Sequence, residues 1–188
     1  MGNIEIETII KENERSLERI FACCEANVSD EFMEWLRNSG YYTVPASTHY
    51  HDACVGGLFR HSMTVCNILQ DYTLKLGLRW ERPESPAIVG LFHDICKVDQ
   101  YIPDPNAGPG DPPYRWNKKQ MLSGHGEKSV ILLQKHMKLT DEEILCIRYH
   151  MGAFEGQEKW TEYTNAIYFY KNVLYTHTAD MLAAHHNR

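Results

Sequence analysis

The chain has 188 residues, a length typical of one domain with a sizeable hydrophobic core. Its formal net charge is −6, from 19 Lys and Arg residues against 25 Asp and Glu residues, which argues against a nucleic acid partner bound through broad phosphate neutralisation. An anionic substrate must therefore be met by local positive charge.

The cysteines and the N-terminal segment indicate the compartment. The six cysteines include no CxxC pair, so we interpret them as buried thiols in a reducing environment. The N-terminus is acidic where a secretory signal needs a basic end, and no uncharged apolar stretch reaches the ~18 residues that span a bilayer. These features predict a cytoplasmic protein without a membrane partner, and they leave homo-oligomerisation open.

Apolar residues recur at three- and four-residue spacing, without the alternation of a half-buried strand. This pattern predicts an all-α fold, a single-domain helical bundle. The first helix is expected from about Ile4 to Cys24, and the second after Ser29, which is a plausible N-cap. We expect residues 1–44 to form N-terminal helices packed on a domain that covers residues 45–188.

The central part of the chain is expected to contain two helices and a loop. The stretch from Gly57 to Leu76 forms one helix, with His61 on the apolar face. Ser85 and Pro86 fit an N-cap and a first-turn proline, opening a helix that ends in His93-Asp94. Five of the chain's eight prolines and two glycines lie between positions 103 and 113, a composition that predicts a long loop. We expect this proline-rich loop to lie over the functional site.

Helices are expected to resume after this loop. One runs from near Gly126 to Lys138, and the next begins at Thr140, whose side chain and Glu143 fit a capping box. A last helix is expected from about Thr164 to Ala184.

Histidines and aspartates of the kind that bind transition metals fall at regular intervals along the predicted helices. The separations are 32 residues from His61 to His93, 31 from Asp94 to His125, 25 from His125 to His150 and 30 from His150 to Asp180. An antiparallel bundle brings residues at such spacing to a common centre. The adjacent His93-Asp94 pair also favours a metal, because a buried unpaired carboxylate is costly.

The local motifs at these positions are GGLFRHSM, LFHDICK, GHGEKS, RYHMG and HTADMLAA. In this order they resemble the HD superfamily of metal-dependent phosphohydrolases, in its extended two-metal form, over roughly residues 45–185. The resemblance implies two divalent or trivalent ions of iron, manganese, zinc or nickel. The first would be bound by His61, His93, Asp94 and Asp180, and the second by Asp94, His125 and His150.

The resemblance also implies an activity. A hydroxide that bridges the two metals would attack a small phosphorylated substrate, such as a nucleotide. Asp94 and Lys97 are the expected catalytic residues, with Lys97 neutralising the phosphate, although a lysine at a helix end also complements the helix dipole. Lys97, Arg148, Arg60 and His51 are the candidates for substrate binding.

Three alternatives remain open at this point. The segment HDACVGGLFRHSM also resembles the opening of the HD domain in exoribonucleases, but only about 45 residues precede the whole match and His150 is followed by Met151 rather than by a second histidine, which argues against exonuclease action. Some HD-fold proteins are mixed-valent diiron oxygenases with the same ligand set. A non-catalytic nucleotide-binding module is the third alternative. His177 is a candidate to orient a ligand, and His136, His185 and His186 are expected to face solvent.

Overall fold

The computed structural model describes residues 3–26, 28–48, 50, 52–108 and 113–186. The predicted all-α fold is confirmed. Within the described residues there are eight α-helices: α1 (Asn3–Cys24), α2 (Asp30–Ser39), α3 (Gly57–Leu76), α4 (Ser85–Phe92), α5 (Gly126–Leu133), α6 (Asp141–Arg148), α7 (Trp160–Phe169) and α8 (Asn172–His186).

Several helix boundaries lie where the sequence predicts them, and α3 has the predicted bounds. The Ser29 hydroxyl caps α2 by accepting a hydrogen bond from the Phe32 backbone N–H at 3.2 Å. The capping box of α6 is complete, because Thr140 and Glu143 each bind the other's backbone N–H. Local side-chain chemistry therefore sets these helix starts.

Three expectations about helices are wrong. Ser85 is the first residue of α4 rather than its cap, and its hydroxyl donates to Glu143 Oε1 at 2.8 Å. The helix after the loop ends at Leu133, five residues early. The single C-terminal helix is two helices, because Tyr170 adopts an extended conformation with φ −135° and ψ 102°.

Two short antiparallel strands flank the proline-rich segment and form a hairpin that the sequence does not predict. Strand β1 (Tyr101–Pro103) pairs with β2 (Tyr114–Trp116). The paired aromatic rings of Tyr101 and Trp116 lie 5.9 Å apart and add cross-strand packing. Positions 109–112, which hold two of the prolines, lie outside the described residues.

Helix α3 lies at the centre of the bundle and packs against α4 and α8. The approach of α4 to α3 depends on Gly90, because a Cβ there would lie 2.5 Å from the Cys66 Cα. His93 follows Gly90 by three residues, and His61 precedes Cys66 by five residues along α3. The close packing of these two helices therefore brings the two histidines together.

Aromatic side chains attach the first two helices to this core. The rings of Phe21 in α1 and Phe32 in α2 lie 6.2 and 5.3 Å from the ring of Phe92. The Tyr41 hydroxyl donates to the Leu91 carbonyl at 2.6 Å. Both partners end α4, so the N-terminal helices support the backbone that leads into His93. The division of the chain at residue 44 stays a prediction.

None of the helices within the described residues combines the length and the apolar character that a membrane crossing requires.

Candidate metal centre

The six predicted ligands come from five segments of the bundle and converge. His61 lies inside α3 and Asp180 inside α8, whereas His93 and Asp94 directly follow α4. His125 directly precedes α5, and His150 lies two residues after α6. His61, His93, Asp94 and His150 are buried. The side chains of His125 and Asp180 keep 26% and 17% of their surface exposed, so the cluster opens to solvent on their side.

The carboxylate of Asp94 divides the four histidines into two pairs. Its Oδ2 lies 3.7 Å from His61 Nε2 and 3.5 Å from His93 Nε2. Its Oδ1 lies 2.6 Å from His125 Nε2 and 3.4 Å from His150 Nε2. Each carboxylate oxygen therefore faces one pair of imidazole nitrogens.

Asp180 belongs to the first of these pairs. Its Oδ1 lies 3.0 Å from His61 Nε2 and 3.6 Å from His93 Nε2. The two histidine nitrogens are themselves 3.3 Å apart. Two imidazoles and two carboxylates thus surround one position, and two imidazoles with the other Asp94 oxygen surround a second.

Backbone carbonyls orient two of the histidines. His93 Nδ1 donates to the Gly90 carbonyl at 2.9 Å, and His150 Nδ1 donates to the Ile147 carbonyl at 2.7 Å. With Nδ1 bound to a carbonyl, each ring turns Nε2 toward the cluster, where deprotonated Nε2 offers a lone pair to a metal. This arrangement is typical of metal-binding histidines.

The cluster contains polar atoms that a cation would satisfy. Among the described residues, Asp94 Oδ1 and His150 Nε2 are buried and have no partner in hydrogen-bond geometry, which is costly for a buried polar atom. Groups of His and Asp donor atoms lie within 4.8 Å of one another in this cluster. Imidazole with carboxylate is a donor set suited to iron, manganese, zinc and nickel. The residues therefore fit a transition-metal site.

Charges within the cluster alter the pKa values of its members. Burial disfavours ionised Asp94, but Lys97, His125 and His93 outweigh burial and lower the pKa of this carboxyl well below its usual range. Burial also disfavours the charged form of His93, but Asp94 and Asp180 raise the pKa of this imidazole to about 10. For His125 burial dominates and lowers its pKa. The carboxylates thus remain negative and attract positive charge.

Lys97 adds a positive charge to the cluster. It lies in a 3₁₀ turn after Asp94 (Ile95–Asp99), and its Nζ is 2.6 Å from Asp94 Oδ2. Burial opposes the charge, but Asp94 raises the pKa of the ammonium, so Lys97 stays protonated. Its charged end faces the cluster rather than the helix-end carbonyls that the alternative interpretation requires.

The structure does not bring Arg60 or Arg148, two other predicted substrate-binding residues, into the cluster. Arg60 is paired with Asp52 at 2.5 Å. Arg148 is paired with Glu127 at 2.5 Å and with Glu155 at 2.9 Å. His51 lies outside the described residues.

The structure shows specific contacts for two residues next to the predicted ligands, Cys96 and His177. Cys96, interpreted from sequence only as a buried thiol, places its Sγ 3.6 Å from His125 Nδ1. Its position two residues after Asp94 is the only sequence feature that indicates a place beside the predicted ligands. His177 Nδ1 donates to the His150 carbonyl at 2.8 Å, so it supports a ligand-bearing segment.

The three histidines expected to face solvent differ in their surroundings. The prediction that His136 faces solvent is wrong, because its ring packs 4.5 Å from the ring of Trp35. His185 is exposed as predicted, and the side chain of His186 lies outside the described part of the chain.

A cleft of about 540 Å³ opens onto the cluster, a size suited to a small ligand. Asp94, Lys97, His125 and Asp180 line its polar end. Tyr101, at the start of the hairpin, lines it as well.

The family model described as the HD domain matches residues 58–184, which include all six clustered residues. No curated protein and no solved structure matched the chain.

Proposed function

The chain belongs to the HD-domain family of metal-dependent phosphohydrolases, and we propose that it hydrolyses a small phosphate ester with two transition-metal ions. One observation carries the two-metal proposal. The oxygens of Asp94 face separate pairs of histidines, with N···O distances of 3.5 and 3.7 Å on one side and 2.6 and 3.4 Å on the other. A single carboxylate placed in this way is suited to bridge two cations.

The proposed ligand sets follow these distances. His61, His93, Asp94 and Asp180 would bind the first cation, and Asp94, His125 and His150 the second. Bound cations supply an activated water and neutralise negative charge on the phosphoryl oxygens. Asp94 is proposed as catalytic because it alone belongs to both sets.

Lys97 is the proposed partner for the phosphoryl group. Its ammonium is buried beside Asp94 and lines the cleft. A cation fixed in position before the substrate arrives stabilises the charge that develops on the phosphoryl oxygens in the transition state. The Asp94 carboxylate keeps this lysine protonated, so the charge is present throughout the neutral pH range.

The test begins with elemental analysis of the purified protein, followed by a screen of phosphate esters with the metals found. We expect two metals per chain and release of inorganic phosphate without consumption of oxygen. One metal per chain would refute the second ligand set. Product formation that consumes oxygen would replace the hydrolase proposal with the oxygenase alternative. A protein that binds both metals but shows neither activity would favour the non-catalytic module.

A further inference from the structure

The cleft has one polar end and one apolar wall, and the wall has no role in binding metals. The wall consists of side chains from the segment after His150, from α8 and from the hairpin: Met151, Phe154, Met181, Ala184 and Tyr101, with Tyr50 at the rim. Ser47, Gln100 and His185 also line the cleft, but most of a ligand that reaches Asp94 would lie against the carbon atoms of this wall.

Two of the segments that carry proposed metal ligands also carry most of this wall. Met151 directly follows His150, and Met181 directly follows Asp180. Ala184 lies one helical turn after Asp180, on the same side of α8. The wall is thus held at a fixed distance from the cluster, next to the place where a phosphoryl group would lie.

The cleft contains little positive charge beyond its polar end. Among the described residues that line it, Lys97 is the only lysine or arginine, and its ammonium is already 2.6 Å from Asp94 Oδ2. Arg60 and Arg148 are held in ion pairs outside the cleft. A second phosphate on the substrate would therefore meet the apolar wall or the imidazole of His185, without a lysine or arginine to compensate its charge, which is unfavourable.

From the apolar wall and the single lysine of the cleft, we propose the class of substrate. It is a phosphate monoester with one phosphoryl group, whose alcohol part is apolar and carries a ring. This inference rests on the proposed hydrolase function. In the reaction the oxygen of water bonds to phosphorus and the bond from phosphorus to the alcohol oxygen breaks. The electron pair leaves with that oxygen, which takes up a proton released by the water.

Three esters of primary alcohols test the class without large differences in leaving-group reactivity. We expect kcat/KM for benzyl phosphate to exceed that for glycerol 1-phosphate by about 10-fold or more, the scale of a contact in an apolar pocket. The bisphosphate of propane-1,3-diol is expected to be the poorest substrate. A higher kcat/KM for the bisphosphate than for benzyl phosphate would overturn the proposal.

Binding separates this inference from the proposed hydrolase activity. Calorimetry on the metal-loaded protein compares benzylphosphonate with methylphosphonate, whose P–C bonds resist hydrolysis. We expect benzylphosphonate to bind about 10-fold more tightly. The preference should fall in Phe154→Ala but not in the matched control Phe169→Ala. Both phenylalanines are exposed, at 67% and 72%, and Phe169 lies outside the cleft on α7.

Each result decides one of the two proposals. Equal affinity for the two phosphonates would overturn the apolar site, even if phosphate esters are hydrolysed. An equal fall in both variants would also overturn it. A preference that depends on Phe154, in a protein that hydrolyses no ester, would support the apolar site and refute the hydrolase function.

Discussion

Replacing Lys97 with methionine tests the proposed phosphate contact, because the change removes the ammonium and keeps an unbranched stem of similar length. The Nζ atom lies 2.6 Å from Asp94 Oδ2 at the polar end of the cleft. At about 4 Å and an effective dielectric constant of about 20, two unit charges interact by about 4 kcal/mol. Loss of one such preorganised contact lowers kcat by about 10²–10³. We therefore expect turnover of a phosphate ester to fall by about 10² or more.

Metal content should survive this substitution. The ammonium neutralises the same Asp94 oxygen that faces His61 and His93, so its removal leaves the carboxylate more attractive to a cation. Kinetics and elemental analysis on the same preparation check both expectations. A loss of turnover accompanied by loss of metal would show that Lys97 acts through the structure of the site.

Lys128→Met is a matched control. Lys128 is also buried, but its ammonium contacts Asp99 and donates to Gln120 Oε1 at 2.8 Å, and it does not line the cleft. We expect this variant to lose about 1–3 kcal/mol of stability and to keep its turnover. If Lys97→Met instead keeps turnover and loses about 0.3–1 kcal/mol of stability, Lys97 only complements a helix dipole and the reasoning is refuted.

Three further predictions follow from the contacts around the bundle. Asp94→Ala should lower the metal content of both positions, whereas His150→Ala should spare the first; equal losses in elemental analysis would contradict the separate ligand sets. Glu143→Gln should lower the free energy of unfolding by about 1–3 kcal/mol, because Arg82 donates to this fully buried carboxylate at 2.6 Å. Denaturant titration measures this change, and a change below about 0.5 kcal/mol would show that the ion pair contributes little. Burial raises the pKa of the Cys66 thiol to about 12, so this thiol stays protonated at pH 8. A thiol reagent at pH 8 should therefore label Cys66 only on unfolding, and mass spectrometry that finds rapid labelling of the folded protein would refute this.

The fold class and the clustered residues could be predicted because each depends on short-range patterns. Apolar spacing of three and four residues places His61 on the buried face of α3, and a capping box fixes the start of α6 at Thr140. The order of the His and Asp motifs identifies the family, and the structure brings all six residues together. Their assignment as ligands to two cations stays a prediction.

The surroundings of the site could not be predicted because they depend on contacts between distant segments. Sequence position makes Arg148 a neighbour of His150, but only the folded chain shows Glu127 on α5 binding its guanidinium. The contact between Cys96 and His125 likewise joins residues 29 apart. The hairpin escapes prediction for another reason, since three-residue strands are too short to show alternation.

The two proposed ligand sets differ in how the fold holds them. His61 and Asp180 lie inside long helices that pack against each other, so the first set is fixed by the core of the bundle. His125 and His150 lie at helix ends, next to segments that also line clefts. Under the proposed function, we expect substitutions in those segments to alter substrate preference without disturbing the first set. Asp94, which belongs to both proposed sets, would then couple a cation held by the core to the segments that line the cleft.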